Sequence, residues 1–220
     1  ILKEKILETA ICTTIKSIAR DQWEACRSSK GNGDPFLSYD FFSLLETSNS
    51  IGRNTGWAPF YIAFKEKNVV VGIIVSFLKS HSQGEYVFDH SWADAYERSG
   101  GNYYPKLQVA VPFTPVSGER ILVREEYEDR VDEMLSSAKR LVKENNLSSL
   151  HITFCNSSFV CVAKKNSLLI REGIQYHWFN RDYKSFEDFL ESLTHRKRKN
   201  ITKERKQARN FGGEIKSLTG

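Results

Sequence analysis

The sequence is poor in cysteine, proline and methionine, with four, five and one of each in 220 residues. Four cysteines are too few to staple a chain of this length. None stands in a Cys-x-x-Cys pair, so neither a disulfide scaffold nor a structural zinc site is expected. A reduced, cytoplasmic protein without a metal is the expectation. Long apolar runs are also missing. The longest, Val69 to Leu78, contains Gly72 and Ser76 and reaches about half the length of a membrane helix, so no transmembrane span is expected. The start, Ile1-Leu2-Lys3-Glu4-Lys5, has neither the apolar core nor the cleavage site of a secretory signal. It also lacks an initiator methionine, so the chain is expected to be a fragment or trimmed. With 40% hydrophobic and 27% charged residues and no low-complexity tract, the composition is globular.

Charge is present but unevenly placed. The net charge is +5, yet His195 to Arg209 alone holds eight basic residues and one acid, a local +7 that leaves −2 for the rest. A field this local acts on an anion held nearby, such as a phosphate or a nucleic-acid backbone. A solvated helix face would look the same from sequence.

The remaining pattern mixes strands with helices. Leu7 to Ile18 reads as a strand and Arg20 to Ser28 as a short helix with Trp23 on its apolar side. Lys30 to Pro35 reads as a loop. Phe36 to Thr47 reads as a helix burying Phe41, Leu44 and Leu45. Phe60 to Phe64 and Val69 to Leu78 form a hairpin signature around Lys65 to Asn68, and the second strand is apolar enough to be central. Tyr86 to Phe88 reads as a strand, Ser91 to Arg98 as a helix, and Leu107 to Val116 as a strand interrupted by Pro112 and Pro115. Glu125 to Glu144 is the clearest helix, with Val131, Leu135, Ala138 and Val142 on one face. Leu150 to Phe154 and Ile174 to Phe179 read as strands, Phe159 to Arg171 as a helix, and Phe186 to Asn210 as one long helix. Glu214 to Leu218 reads as the start of another strand. This order predicts a mixed α/β (α+β) sheet, with a first domain over 1–182 and the opening of a second, truncated one over 183–220.

The most unusual stretch is Gly84 to Gly118, which sets Asp89, His90, Trp92, Asp94, Tyr96, Tyr103, Tyr104 and Lys106 between two apolar strands. Polar stretches at strand ends are where sites sit on open sheets. His90 beside Asp89 and Asp94 is a candidate general base held by a carboxylate, and Tyr103 or Tyr104 a candidate proton donor. Two prolines in one strand force it to splay or lie at an edge, leaving amides and carbonyls for an extended ligand. Ser117-Gly118, with Arg120 and Arg124, leads toward a helix start and is a candidate phosphate turn.

The strand order with a splayed strand before a long helix resembles the GNAT acyltransferase fold. The run from Lys79 to Leu122 resembles the signature block of the FemAB-like N-acyltransferases, a family of peptidoglycan biosynthesis/recognition proteins. Asn54 to Trp57, His151 to Phe154, Tyr176 to Asn180, His195 to Lys199 and Leu218 to Gly220 agree with it. The resemblance implies a mostly antiparallel GNAT-like sheet with helices on both faces and a splayed central strand. It also implies two such halves in tandem, the C-terminal one missing here. The activity implied is transfer of an acyl or aminoacyl group to an amine acceptor, with acyl-CoA or aminoacyl-tRNA as donor and a peptidoglycan precursor as the acceptor in related ligases. The Q/R-x-x-G-x-G/A phosphate motif of GNAT enzymes is absent; Val116-Ser117-Gly118-Glu119-Arg120 stands in its place with one glycine.

Such a reaction needs the acceptor amine deprotonated, the developing oxyanion stabilised and the leaving group protonated. On this view His90, Asp89, Asp94, Tyr103 and Tyr104 carry the chemistry. Trp92, Tyr96, Lys106, Arg196, Lys199 and Lys203 contact the substrate or a tRNA. The stretch with Val109, Val111, Phe113, Thr114, Ser117, Gly118 and Arg120 holds the donor. The alternatives are a non-catalytic module that recognises cell-wall peptides, and a nucleic-acid binder working through 195–209. The basic stretch contains no aromatic residue on which bases could stack.

Overall fold

The apolar run that begins at Val69 becomes the middle of the protein. The computed structural model describes residues 7–27, 33–210, 212–214 and 216–218. Residues 30–32 of the expected first loop, Ile215 of the expected last strand, and Thr219 and Gly220 lie outside that description. The run is bent at Val75 into β4 (Val69–Ile74) and β5 (Ser76–Lys79). Its hairpin partner is likewise broken into β2 (Trp57–Pro59) and β3 (Tyr61–Glu66). Lys67 and Asn68 turn the hairpin with φ of 48° and 65°, the paired positive φ of a two-residue loop that matches strand twist.

One sheet runs β1 (Glu8–Cys12), β3, β4, β7 (Ile121–Val123), all antiparallel. The other runs β2, β5, β6 (Lys106–Val109), β8 (Leu150–Ile152), with β6 and β8 parallel. Val109 lies opposite Ser76 and Ile121 opposite Ile74. Residues 110–120 therefore leave the sheet at the bend and return beside it.

Both faces are covered, which is why the central strand lacks alternation. On one face, α1 (Arg20–Arg27) and α2 (Tyr39–Thr47) bring Trp23 and Phe42 onto Tyr61, Ala63, Ile73 and Phe77. On the other, α4 (Val131–Glu144) and α5 (Phe159–Lys165) bring Met134, Leu135, Ala138 and Phe159 onto Ile62, Phe64, Ile74 and Val109. The fold is thus mixed α/β, mostly antiparallel, with helices on both faces, as expected. Contacts divide the chain into two compact units, Ile1–Arg171 and Glu172–Gly220.

Several expected elements differ. In α2, capped by Ser38, the fully buried residue is Phe42, while Leu44 is 68% exposed. Tyr86 to Phe88 is not a strand, because Tyr86 and Phe88 take φ of 57° and 53°. The strand expected over Leu107–Val116 ends at Val109. Pro112 and Pro115 donate no hydrogen bond, Phe113 turns at φ 59°, and its N–H goes to Gly84 O. The helix from Phe159 stops at Lys165, closed by Ser167 at φ 55° and by Leu168 N–H on Ala163 O.

In the second unit, the single long helix is two: α6 (Phe186–Glu191) and α7 (His195–Arg209). Ser192 Oγ donates to Phe189 O, and Thr194, extended at ψ 148°, is the N-cap of α7. Residues 174–179 are irregular and exposed, as are the described residues of 214–218. A strand needs a neighbour to take its backbone bonds, and no strand occurs among the described residues of this unit.

Candidate functional site

Lys79 and Lys106 close the β5–β6 ladder directly opposite each other, and neither side chain is exposed to solvent. Two ammonium groups on the last rung of a ladder repel unless acids lie between them. The crossover 80–105 supplies those acids. Glu85 Oε2 accepts from Lys106 Nζ at 2.8 Å, and Glu85 Oε1 lies 3.9 Å from Lys79 Nζ. Asp89 Oδ2 accepts from Lys106 Nζ at 2.7 Å and from Tyr103 OH at 2.8 Å. Lys106 Nζ also donates to Ser82 Oγ at 3.0 Å, and Ser82 Oγ and Tyr104 OH are 2.7 Å apart. Lys79 Nζ stands 3.6 Å over the Trp57 ring and donates to Gln83 O at 3.2 Å. His151, on β8, brings Nδ1 to 4.0 Å from Asp89 Oδ2 and its ring edge-on to Tyr103.

Backbone shape makes this closure possible. Gly84 has φ 78°, and a Cβ there would meet the Phe113 ring at 2.6 Å. Between Gly84 and Asp89 the chain alternates, with Glu85 and Asp89 buried while Tyr86 and Phe88 are 50% and 75% exposed. Gly101 gives the Tyr96 ring a flat seat, since a Cβ would come within 2.4 Å of it.

The electrostatics follow from burial. Burial lowers Lys79 to about 7 against the pull of Glu85. Burial also raises the Glu85 carboxyl despite Lys106. For Asp89, burial is outweighed by the hydrogen bonds from Lys106, Ser82 and Tyr103, which hold its carboxyl well below the usual range. Burial and Lys106 together lower His151 to about 4, so its imidazole is neutral at ordinary pH. Burial and the bond to Asp89 push the Tyr103 phenol up.

Of the residues singled out in sequence, Asp89, Tyr103, Tyr104 and Lys106 come together here. His90 does not join them. It begins α3 (His90–Arg98) on the solvent side, while the Asp89 carboxylate is committed to Lys106 and Tyr103, so the expected Asp89–His90 pair is not formed. Asp94 is exposed on α3, as are Trp92 and Tyr96, the latter edge-on to Tyr103 at 6.2 Å. Sequence reasoning gave no role to Lys79, Ser82, Glu85 or His151. The signals were a lysine ending the longest apolar run and a histidine opening an apolar strand.

The expected donor stretch is largely self-satisfied. β6 and β8 do part after Val109, whose carbonyl accepts from Thr153 N–H at 3.1 Å. The gap is closed by Arg120, only 2% exposed, whose guanidinium donates to Thr153 O, Glu119 O and Val116 O. Burial lowers that guanidinium to about 10. Arg120 therefore staples backbone segments together. Gly118 N–H is spent on Phe154 O, and Thr114 and Phe113 N–H on Val111 O and Gly84 O. Val109 and Val111 are buried, and Ser117 is exposed. Among the described residues no His/Cys/Asp/Glu group fits a metal ion, and no helix is long and apolar enough to cross a membrane.

In the second unit, Lys199, Lys203 and Lys206 share one face of α7 with His195, Arg198 and Thr202, and Arg196 is exposed one turn earlier. Arg198 donates to Leu190 O, Glu191 O and Leu193 O, and Arg205 lies 3.9 Å over the Phe186 ring.

A family model described as FemAB-like, peptidoglycan biosynthesis/recognition, matches residues 14–220. No curated protein matches the chain. Among solved structures, aminoglycoside acetyltransferase AAC(6')-Iy in complex with a CoA-linked bisubstrate analogue is 10% identical, covering 80% of this chain and 99% of its own, with a TM-score of 0.47. The acetyltransferase AAC(6')-IG from Acinetobacter haemolyticus is 12% identical over 80% and 99%, with a TM-score of 0.41. A possible acetyltransferase from Clostridium difficile 630 is 13% identical over 81% and 99%, with a TM-score of 0.43.

Proposed function

The chain belongs to the FemAB-like family of peptidoglycan biosynthesis/recognition, and from that premise we propose that it is an N-acyltransferase moving an acyl or aminoacyl group onto an amine. The family match across 14–220 carries this reading. The proposed acceptor is an amine-bearing peptidoglycan precursor. The proposed donor is an acyl-CoA or an aminoacyl-tRNA. Residues 183–220 are read as the opening of a second domain.

In the reaction, the acceptor nitrogen adds to the donor carbonyl and loses a proton. The C–N bond forms as the carbon–sulfur or carbon–oxygen bond of the donor breaks, and the leaving group takes up a proton. Geometry favours the 79–106 cluster as the place for this chemistry over His90 in solvent. His151 is neutral and can accept a hydrogen bond from the incoming nitrogen. Tyr103, of intermediate burial, is the proposed proton donor, its hydroxyl turning from Asp89 to the leaving group as that group departs. Holding donor and acceptor in line supplies much of the rate, so no covalent enzyme intermediate is required.

One observation favours a second reading, a recognition module without catalysis. Arg120 fills the gap between β6 and β8 where an extended donor would otherwise find free backbone groups.

The test is turnover. The chain is incubated with a peptidoglycan-precursor peptide and either an acyl-CoA series or aminoacyl-tRNA, and the acceptor is weighed by mass spectrometry. The acyl increment, lost in Tyr103→Phe, is the expected result. Saturable precursor binding with no increment from any donor would instead establish the recognition reading.

A further inference from the structure

Three buried side-chain atoms in the described residues have no hydrogen-bond partner: Glu85 Oε1, Asp89 Oδ1 and Gln108 Oε1. All three are acceptors: two are the second oxygens of the carboxylates on Lys106, and the third is on Gln108, two residues from Lys106 along β6. Lys106 and Gln108 project from the same face of β6, since side chains two apart in a strand share a face. Gln108 lies opposite Phe77 on one side and His151 on the other. Glu85 and Asp89 both reach Lys106 Nζ through their second oxygens. Gln108 is fully buried, and its amide nitrogen is spent on Thr153 Oγ1 at 3.0 Å.

A buried acceptor left without a donor costs about 1–3 kcal/mol, so three in one cluster are a specific deficit. The deficit is of donors. That excludes phosphates, carboxylates and carbonyls as the missing group. Lys79 does not satisfy Glu85 Oε1: its ammonium stands 3.9 Å away, held over Trp57 and bonded to Gln83 O. Two acidic side chains, Glu85 and Asp89, face the one ammonium of Lys106. A primary ammonium supplies one positive charge and three N–H donors. The cluster meets solvent at Tyr103, Tyr104 and His151, all of intermediate burial.

We propose that the cluster under the 80–105 crossover is a binding site for a primary ammonium group, held by Glu85, Asp89 and Gln108. This rests on the reading of the chain as acting on an amine, and it places the nitrogen of the acceptor. Glu85 and Gln108 become acceptor-positioning residues, and the Asp89–Lys106 pair fixes the floor of the site.

The test needs no acyl donor. The full chain is titrated with ethylammonium chloride and its melting temperature followed. Tetramethylammonium chloride, with the same charge but no N–H, and sodium chloride are run at equal ionic strength. A ligand that binds only the folded state raises the melting temperature as it saturates. The expected result is a saturable rise with ethylammonium alone, weakened at least tenfold in apparent affinity by Glu85→Gln and by Gln108→Met. No rise, an equal rise with tetramethylammonium, or a rise unchanged in both variants would overturn the proposal. Should a variant fail to fold, a crystal of the wild-type chain soaked in propylammonium decides. Density for the alkyl chain against the three oxygens supports the site, and ordered water alone refutes it. The outcomes separate from the transferase reading: ammonium binding without turnover leaves the site and removes the enzyme, and turnover without ammonium binding does the reverse.

Discussion

Lys106 is the hub of the buried polar cluster. Its ammonium reaches Glu85, Asp89 and Ser82 and lies within 5.2 Å and 5.7 Å of the Tyr103 and Tyr104 rings. Replacing it with methionine keeps the aliphatic stem but leaves two buried carboxylates facing each other. Removing one partner of a buried pair costs about 3–5 kcal/mol, so Lys106→Met is expected to unfold at clearly lower denaturant. Adding Glu85→Gln and Asp89→Asn to it should recover part of that loss, as measured by urea melts of the single and triple variants. His151 gives a second prediction, with a definite sign. Its folded value is near 4 and its ordinary value near 6.5. Between these the unfolded chain binds a proton that the folded chain refuses. Its contribution is therefore complete above pH 6.5 and lost as the pH falls toward 4, by up to about 3 kcal/mol. His151→Gln should narrow the stability difference between pH 7 and pH 4.5 relative to wild type, with equal wild-type and variant differences counting against the assignment. The sequence made Asp89, Tyr103, Tyr104 and Lys106 legible, because polar residues crowded between apolar strands announce themselves. Lys79 and His151 were not legible, because their place depends on two long-range registers, Lys79 opposite Lys106 and Gln108 opposite His151.

At the scale of elements, some readings set by local sequence hold, and two strand readings that needed partners in space do not. The hairpin and the helices from Arg20 and within Glu125–Glu144 are set by local turn chemistry and periodicity. The strand over Leu107–Val116 and the strand at Ile174 needed partners that the backbone does not provide. The crossover 80–105 shows the same dependence. Its path is set by Gly84, whose missing side chain lets the Phe113 ring lie against it and whose φ of 78° suits glycine alone. Gly84→Ala adds a methyl group inside that contact and strains the backbone. The expected cost is about 1–3 kcal/mol. The crossover should then loosen first, with hydrogen exchange rising at the amide of Phe113, which donates to Gly84 O, while the β3–β4 amides keep their protection. Uniform loss of protection through the sheet would mean that Gly84 supports the whole fold and not the crossover.

For the chain as a whole, charge and core are segregated. The two apolar clusters lie on the two faces of the sheets of the first unit, and the basic excess lies on α7 in the second. The sequence showed the charge, because a run of bases is local, but not its division of labour. Arg198 closes the carbonyls at the end of α6, and Arg205 covers the Phe186 ring. Lys199, Lys203 and Lys206 are exposed on the face that Arg198 shares. The two groups should separate by experiment. Arg198→Gln removes donors from Leu190, Glu191 and Leu193 and is expected to lower helicity at the α6–α7 junction by circular dichroism. Changing Lys199, Lys203 and Lys206 together to Gln leaves those bonds in place and should leave helicity unchanged. If the face binds phosphate chains, each neutralised phosphate adds about 0.7–0.9 to the slope of log affinity against log salt. The triple variant should then lose about 2–3 from the slope measured with tRNA by filter binding. A slope equal to that of the wild type would assign the basic run to solvation of the helix and remove nucleic acid from the ligands of this unit.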